Sequence, residues 1–174
     1  MLRRVCRQQI LRHWHSQDGQ LLLTLARACV ARHPIAKGFE MLEYHVSARR
    51  IDSHGSEATT KDARIVLDTD MAGRADAFNP AEMLLASLAA CILKGTERVI
   101  PMLQFDLRGI EVSLHGVRQD SPPKMIRINY EITVDTDETD ARLALLHKNL
   151  QKYGTIYNTL AGATELSGTI NRKI

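Results

Sequence analysis

Two stretches in the second half of the chain alternate between apolar and polar positions. Met125–Val134 sets Ile126, Ile128, Tyr130 and Ile132 against Arg127, Asn129, Glu131 and Thr133. A period of two is the spacing of a strand with one buried face. Leu107–Val117 alternates in part, with Ile110, Val112 and Leu114 against Gly109, Glu111 and Ser113. The link Arg118–Lys124 contains Pro122-Pro123 and predicts a loop, so the two runs predict a β-hairpin. Upstream, Tyr44–Ile51 and Ser56–Thr60 read as short strands around the turn Asp52-Ser53-His54-Gly55. Ala63–Leu67 reads as a third strand, ending at the loop Asp68–Asp76.

Two segments carry helical patterns. The first opens at Asn79-Pro80 and is predicted to run to about Ile100, before Pro101. Asn is a good N-cap, Pro suits the first helical position, and Glu82 stands at N3, where it closes a capping box. Met83–Leu93 holds no charge, and a helix apolar all round is a helix covered all round. The second is predicted from about Thr139 to Tyr153, with Ala141, Leu143, Leu145, Leu146 and Leu150 opposite Arg142, Lys148 and Gln151. Gly154 reads as its terminator. A short turn, Ile156–Ala161, then leads to a last strand, Glu165–Asn171. The order β-β-β-α-β-β-α-β is an α+β fold in which an apolar central helix packs on an antiparallel sheet. One sheet covers one side of that helix. The pattern therefore predicts a partner chain on the other side, most economically in a symmetric dimer; the competing expectation is that the second helix does all the covering.

Composition sets limits on function. No apolar stretch approaches the roughly 20 residues of a membrane-spanning helix. Net charge is +3, but residues 1–40 hold seven Lys/Arg against Asp18 and Glu40, while residues 41–174 hold sixteen against eighteen. The body is mildly acidic and offers no footprint for nucleic acid. The basic leader has competing readings: an export signal, which Arg27 interrupts; an Arg-rich organelle presequence; a helical extension; or translated upstream DNA, with Met41 as the initiator. On the last reading the domain is 41–174. His13, His15, Cys29 and His33 lack standard metal spacing, and no metal or organic cofactor is expected. Of Cys6, Cys29 and Cys91, only Cys91 lies in the body. A body with one cysteine has no internal disulfide, which fits a free thiol in a reducing, cytoplasmic compartment.

Cys91 sits within Leu84-Leu85-Ala86-Ser87-Leu88-Ala89-Ala90-Cys91-Ile92-Leu93. By residue type alone it reads as a packing residue, because free cysteine is commonly buried and inert. No Ser-His-Asp arrangement, phosphate loop or CxxC competes with it. The run from Asn79-Pro80-Ala81-Glu82-Met83 to Cys91 resembles the signature of the OsmC/Ohr family, an Asn/Thr-Pro-x-Glu-Leu-type opening with a cysteine eleven residues after the proline. A second patch, Lys152–Leu160, resembles the family segment that usually reads Cys-Pro-Val-x-Asn-Thr-Leu. The resemblance covers roughly 43–171.

It implies an OsmC-like fold, an intertwined homodimer with sites at the interface, and thiol-dependent reduction of organic hydroperoxides with Cys91 as nucleophile. It also implies a glutamate and an arginine as helpers. Glu82 fits one of the family's two glutamate positions, although a capping box accounts for it as well. Nine residues of helix put Glu82 and Cys91 on opposite faces at about 100° per residue. Arg50 is the first choice of arginine because it shares strand parity with Val46 and Ala48; Arg49 and Arg74 are the others. The chain departs from the family at the second cysteine, whose place Gly154 takes, and at the proline after it, replaced by Thr155. An external thiol or dithiol would then resolve oxidised Cys91. The competing expectations are a non-catalytic dimer that binds a small apolar or electrophilic molecule, and a structural domain in which Cys91 only packs.

Overall fold

The computed structural model describes residues 41–173, and the readings of the leader, with Cys6 and Cys29, lie outside them. The elements run β1 (Ser47–Arg50), β2 (Gly55–Thr60), β3 (Ala63–Asp68), α1 (Pro80–Leu103), β4 (Gly109–Asp120), β5 (Pro123–Asp135), α2 (Asp140–Tyr153), α3 (Thr155–Ala161) and β6 (Glu165–Arg172). β1, β2 and β3 form one antiparallel sheet, and β4, β5 and β6 form a second in that order. The expected α+β order is present, with α3 as a helix where a turn was predicted.

The turn after β1 is fastened by Asp52, whose carboxylate accepts from the backbone N–H of His54 at 2.8 Å and of Gly55 at 3.0 Å. On one face of this sheet Glu57 is buried between two guanidinium groups, Arg49 at 3.1 Å and Arg64 at 3.2 Å. Such partners offset the cost of burying a carboxylate. The other face is apolar and open.

The β4–β5 hairpin forms as the alternation predicts, but its strands run further. β4 continues to Asp120 and β5 starts at Pro123, which leaves only Ser121-Pro122 between them. Pro123 opens its strand, where the missing N–H costs little. β6 pairs parallel to β5, in register Ile132↔Ile170, so the expected all-antiparallel sheet is mixed. The parallel return follows from α2 and α3, which carry the chain back across the sheet.

α1 starts as predicted. Asn79 accepts from the backbone of Ala81 at 2.9 Å and Glu82 at 3.0 Å, and Glu82 accepts from Asn79 N–H at 2.9 Å. The helix does not stop before Pro101 but runs to Leu103, capped by Gln104 in the left-handed region at φ 49°. Pro101 lies in the last turn and forfeits one backbone bond there. Packing offsets that loss: Leu103 lies against the core and Phe105, just beyond, is inside it. Leu88, Ile92, Thr96 and Val99 form the buried stripe of α1. They meet Ile128, Tyr130, Ile132 and Val134 of β5 and Leu143, Leu146 and Leu150 of α2 in one core. Ala90 and Leu93, on the opposite stripe, are exposed in the single chain. Among the described residues no helix is long and apolar enough to cross a membrane.

Candidate functional site around Cys91

Cys91 is half-buried at the middle of α1 and, among the described residues, is in no disulfide. It follows Leu88 by three residues, which puts it at the edge of the buried stripe rather than within it. The chain opposite is the junction of α2 and α3, where Gly154 is buried. A Cβ placed on Gly154 would lie 3.6 Å from Cys91 Sγ, 2.8 Å from the carbonyl oxygen of Leu150 and 2.9 Å from Cβ of Tyr157. Gly154 is thus the residue of this junction that faces the thiol. It has φ −76°, not the left-handed conformation of a glycine terminator. Close approach, not backbone handedness, calls for a glycine here, which corrects the sequence reading.

Gly154→Ala is therefore expected to destabilise the domain by about 1–3 kcal/mol, the usual range for overpacking, because the nearest obstruction is backbone. Chemical denaturation checks it. A variant as stable as the parent chain would mean that the junction relaxes freely.

Beyond Gly154 lies a polar network that the sequence did not announce. Tyr130 Oη and His147 Nε2 are 2.7 Å apart, and Gln151 Nε2 donates to Tyr130 Oη at 3.0 Å. The same amide nitrogen is 3.3 Å from His147 Nε2. Tyr157 packs edge-on to Tyr130, with ring centroids 6.2 Å apart. Burial pushes the Tyr130 hydroxyl above its ordinary range and holds the His147 imidazole below 6.5. The available signal was a histidine on the apolar face of α2, one turn from Leu143.

His147 also sets a pH dependence. Unfolded, the imidazole takes a proton near pH 6.5; folded, it resists until lower pH. The stability that His147 contributes is therefore fully present above pH 6.5 and is lost as pH falls through the folded value. Urea denaturation across that range should show the parent chain losing more stability than His147→Gln. Equal losses would mean that His147 is free to charge in place.

The other expected site residues are not at Cys91 within one chain. Glu82 is exposed and spends one carboxylate oxygen on the capping box. The unbroken helix between them places Cys91 on the opposite face, roughly 13 Å along the axis. Arg49 is engaged by Glu57, and Arg74 makes two 2.8 Å bonds to Asp76, which hold its guanidinium above and the Asp76 carboxyl below their ordinary values. Arg50 is exposed and, among the described residues, makes no side-chain hydrogen bond or ion pair. It lies on the apolar face of its sheet. That face and the start of α1 frame an open trough of about 440 Å³ lined by Val46, Ala58, Ile65, Leu67, Pro80 and Met83. Among the described residues no three His, Cys, Asp or Glu side chains are grouped to hold a metal.

A helix carrying a lone thiol against a two-helix junction, between two small sheets, is an arrangement with relatives. A family model described as OsmC-like protein matches residues 73–167, more than half of the chain and both walls of the Cys91 site.

The chain belongs to the OsmC-like family.

Solved structures share its fold. An OsmC-like protein from Mycoplasma pneumoniae superposes with a TM-score of 0.70 at 20% identity, over 76% of this chain and 99% of that one. An organic hydroperoxide resistance protein OsmC from Legionella pneumophila gives 0.58 at 13% identity, over 75% and 98%. An organic hydroperoxide resistance protein from Bacillus subtilis gives 0.53 at 20% identity, over 75% and 98%. At these identities the likeness is one of fold. No curated protein matches the chain in sequence.

Proposed function

We propose that this OsmC-like protein reduces organic hydroperoxides through Cys91 alone, with an external thiol completing the cycle. The observation that carries the reading is the position of Cys91, half-buried on the family's central helix and faced by Gly154. Hydroperoxide resistance relatives with the same fold support the substrate class. The thiolate attacks one oxygen of the O–O bond, an S–O bond forms, and the other oxygen leaves as an alkoxide that takes up a proton to become the alcohol. Cys91 is left as a sulfenic acid. One external thiol displaces water from it and forms a mixed disulfide. A second thiol then releases Cys91 and leaves as the external disulfide.

The helpers act across a symmetric dimer. The exposed stripe of α1 at Ala90 and Leu93 and the open apolar face of the first sheet support a partner chain over both. The partner subunit's Glu82 and the partner subunit's Arg50 then complete the site. Arg50 is favoured over Arg49 and Arg74 because those two are already paired. The setting of the reaction is the reducing cytoplasm, the compartment that supplies free thiols. The domain is taken as residues 41–174, with 1–40 outside the functional unit.

A second reading, a non-catalytic dimer that holds a small apolar or electrophilic molecule, draws support from the 440 Å³ trough. Peroxide consumption separates the two. With cumene hydroperoxide and no added thiol, the protein should consume about one equivalent, because one cysteine carries the oxidation. With dithiothreitol, consumption should become catalytic. No consumption in either case leaves the binding reading.

A further inference from the structure

We propose that Arg98 and Lys152, gathered on the ring of Tyr153, bind a carboxylate of the external thiol that resolves Cys91, so that the resolving thiol is a small anionic one. Arg98 follows Cys91 by seven residues on the unbroken helix α1. That spacing puts it within about 20° of the same face and about 10 Å further along the axis. Between them α1 packs tightly on α2, where a Cβ on Gly95 would meet Leu150 at 3.3 Å. The end of α2 closes the same side. The Arg98 guanidinium lies 5.5 Å from the ring centroid of Tyr153, and Lys152 Nζ lies 5.0 Å from it. Tyr153 directly precedes Gly154, the residue across the junction from Cys91.

The two cations are held but not neutralised. Among the described residues every arginine except Arg50 and Arg98 pairs with a carboxylate. Lys152 likewise has no carboxylate partner among them. An aromatic face attracts a cation without using its N–H donors, so both groups keep theirs for an anion. Both side chains are exposed. Lys94, one turn past Cys91, adds positive charge on the same edge of α1. The acidic neighbour, Glu97, stands roughly 100° around the helix from Arg98 and does not pair with it. Arg98 also lies off the Ala90–Leu93 stripe assigned above to the partner chain. A thiolate attacking the Cys91 sulfenic acid forms an S–S bond and expels hydroxide, which takes up a proton. A second thiolate then attacks the external sulfur and releases Cys91 as thiolate. Each attack brings a negative sulfur to Cys91, and a cationic rim favours the approach of an anion.

The inference rests on Cys91 as the reacting group, as proposed above, but not on the peroxide. Its test uses the full chain with Cys6→Ser and Cys29→Ser, charged at Cys91 with dithiodipyridine to give a mixed disulfide. The rate of thiopyridone release is measured with glutathione and with glutathione diethyl ester, whose carboxylates are masked. The ratio of the two rates is compared between variants, so differences in thiol ionisation cancel. Arg98→Gln and Lys152→Gln should each lower the ratio by about threefold, and Arg98→Lys should recover most of it. Added salt should lower the ratio in the parent and have less effect in the double variant. Lys124→Gln, beside the β4–β5 turn, should leave it unchanged. Circular dichroism identifies folded variants, and Lys152→Gln carries the test if Arg98→Gln does not fold. A ratio unmoved by both substitutions, or lowered as much by Lys124→Gln, overturns the inference. Catalytic hydroperoxide consumption with an unmoved ratio overturns this inference alone. The expected ratios in a protein that never consumes hydroperoxide overturn the peroxidase reading and leave Cys91 with an anionic thiol partner.

Discussion

Cys91→Ser should lose hydroperoxide consumption by a factor on the order of a thousand or more, with the fold intact. The size follows from the chemistry. A serine hydroxyl ionises far less readily than a thiol and is a poor nucleophile toward peroxide oxygen, so no step of the proposed cycle survives. The substitution itself is mild. Cys91 is half-buried at the edge of the core, and a serine on a helix can return its hydroxyl to the preceding turn, as Ser87 does to the Leu84 carbonyl at 2.7 Å. A steady-state peroxide assay with dithiothreitol, paired with thermal denaturation, separates chemistry from folding. Retained consumption would move the activity elsewhere, with Cys6 and Cys29 the next thiols to examine.

Leu88→Ala should cost about 2–5 kcal/mol of stability and lower the Tm by roughly 10 °C. Leu88 is completely buried and stands on the stripe of α1 that enters the core shared with β5 and α2. Ile92, Ile128 and Leu146 are fixed there by their own elements, so the cavity left by a shortened side chain closes only in part. Differential scanning calorimetry gives the number. A change below about 1 kcal/mol would mean that this part of the core collapses around the gap.

Much of this architecture is legible in the sequence because local and tertiary demands agree. Asn79, Pro80 and Glu82 mark the start of α1, and the same three residues make the cap. The alternation around Ile128, Tyr130 and Ile132 marks β5 because its apolar row is the row that is buried. The departures occur where packing overrides a local rule. Pro101 ordinarily ends a helix, yet the burial of Phe105 beyond it carries α1 further. Gly154 carries the local signature of a terminator, and only the approach of α1 reveals that its missing side chain matters to the thiol.

The candidate site was half legible. Cys91 stands out by its motif, and its neighbour across the junction is Gly154. The network behind it is not a sequence pattern: Tyr130, His147 and Tyr157 come from β5, α2 and α3 and meet only in the fold. Glu82 and Arg50 are unresolved by one chain for a geometric reason. Opposite faces of a straight helix do not meet, and β1 contributes no residue to the core that Cys91 borders.

The most direct test of the account is the mass of Cys91 after one equivalent of cumene hydroperoxide in the presence of a sulfenic-acid trap. A trapped adduct on the Cys91 peptide, formed rapidly and absent from Cys91→Ser, is the predicted result. An unmodified Cys91, under conditions in which a known thiol peroxidase is fully trapped, would contradict it.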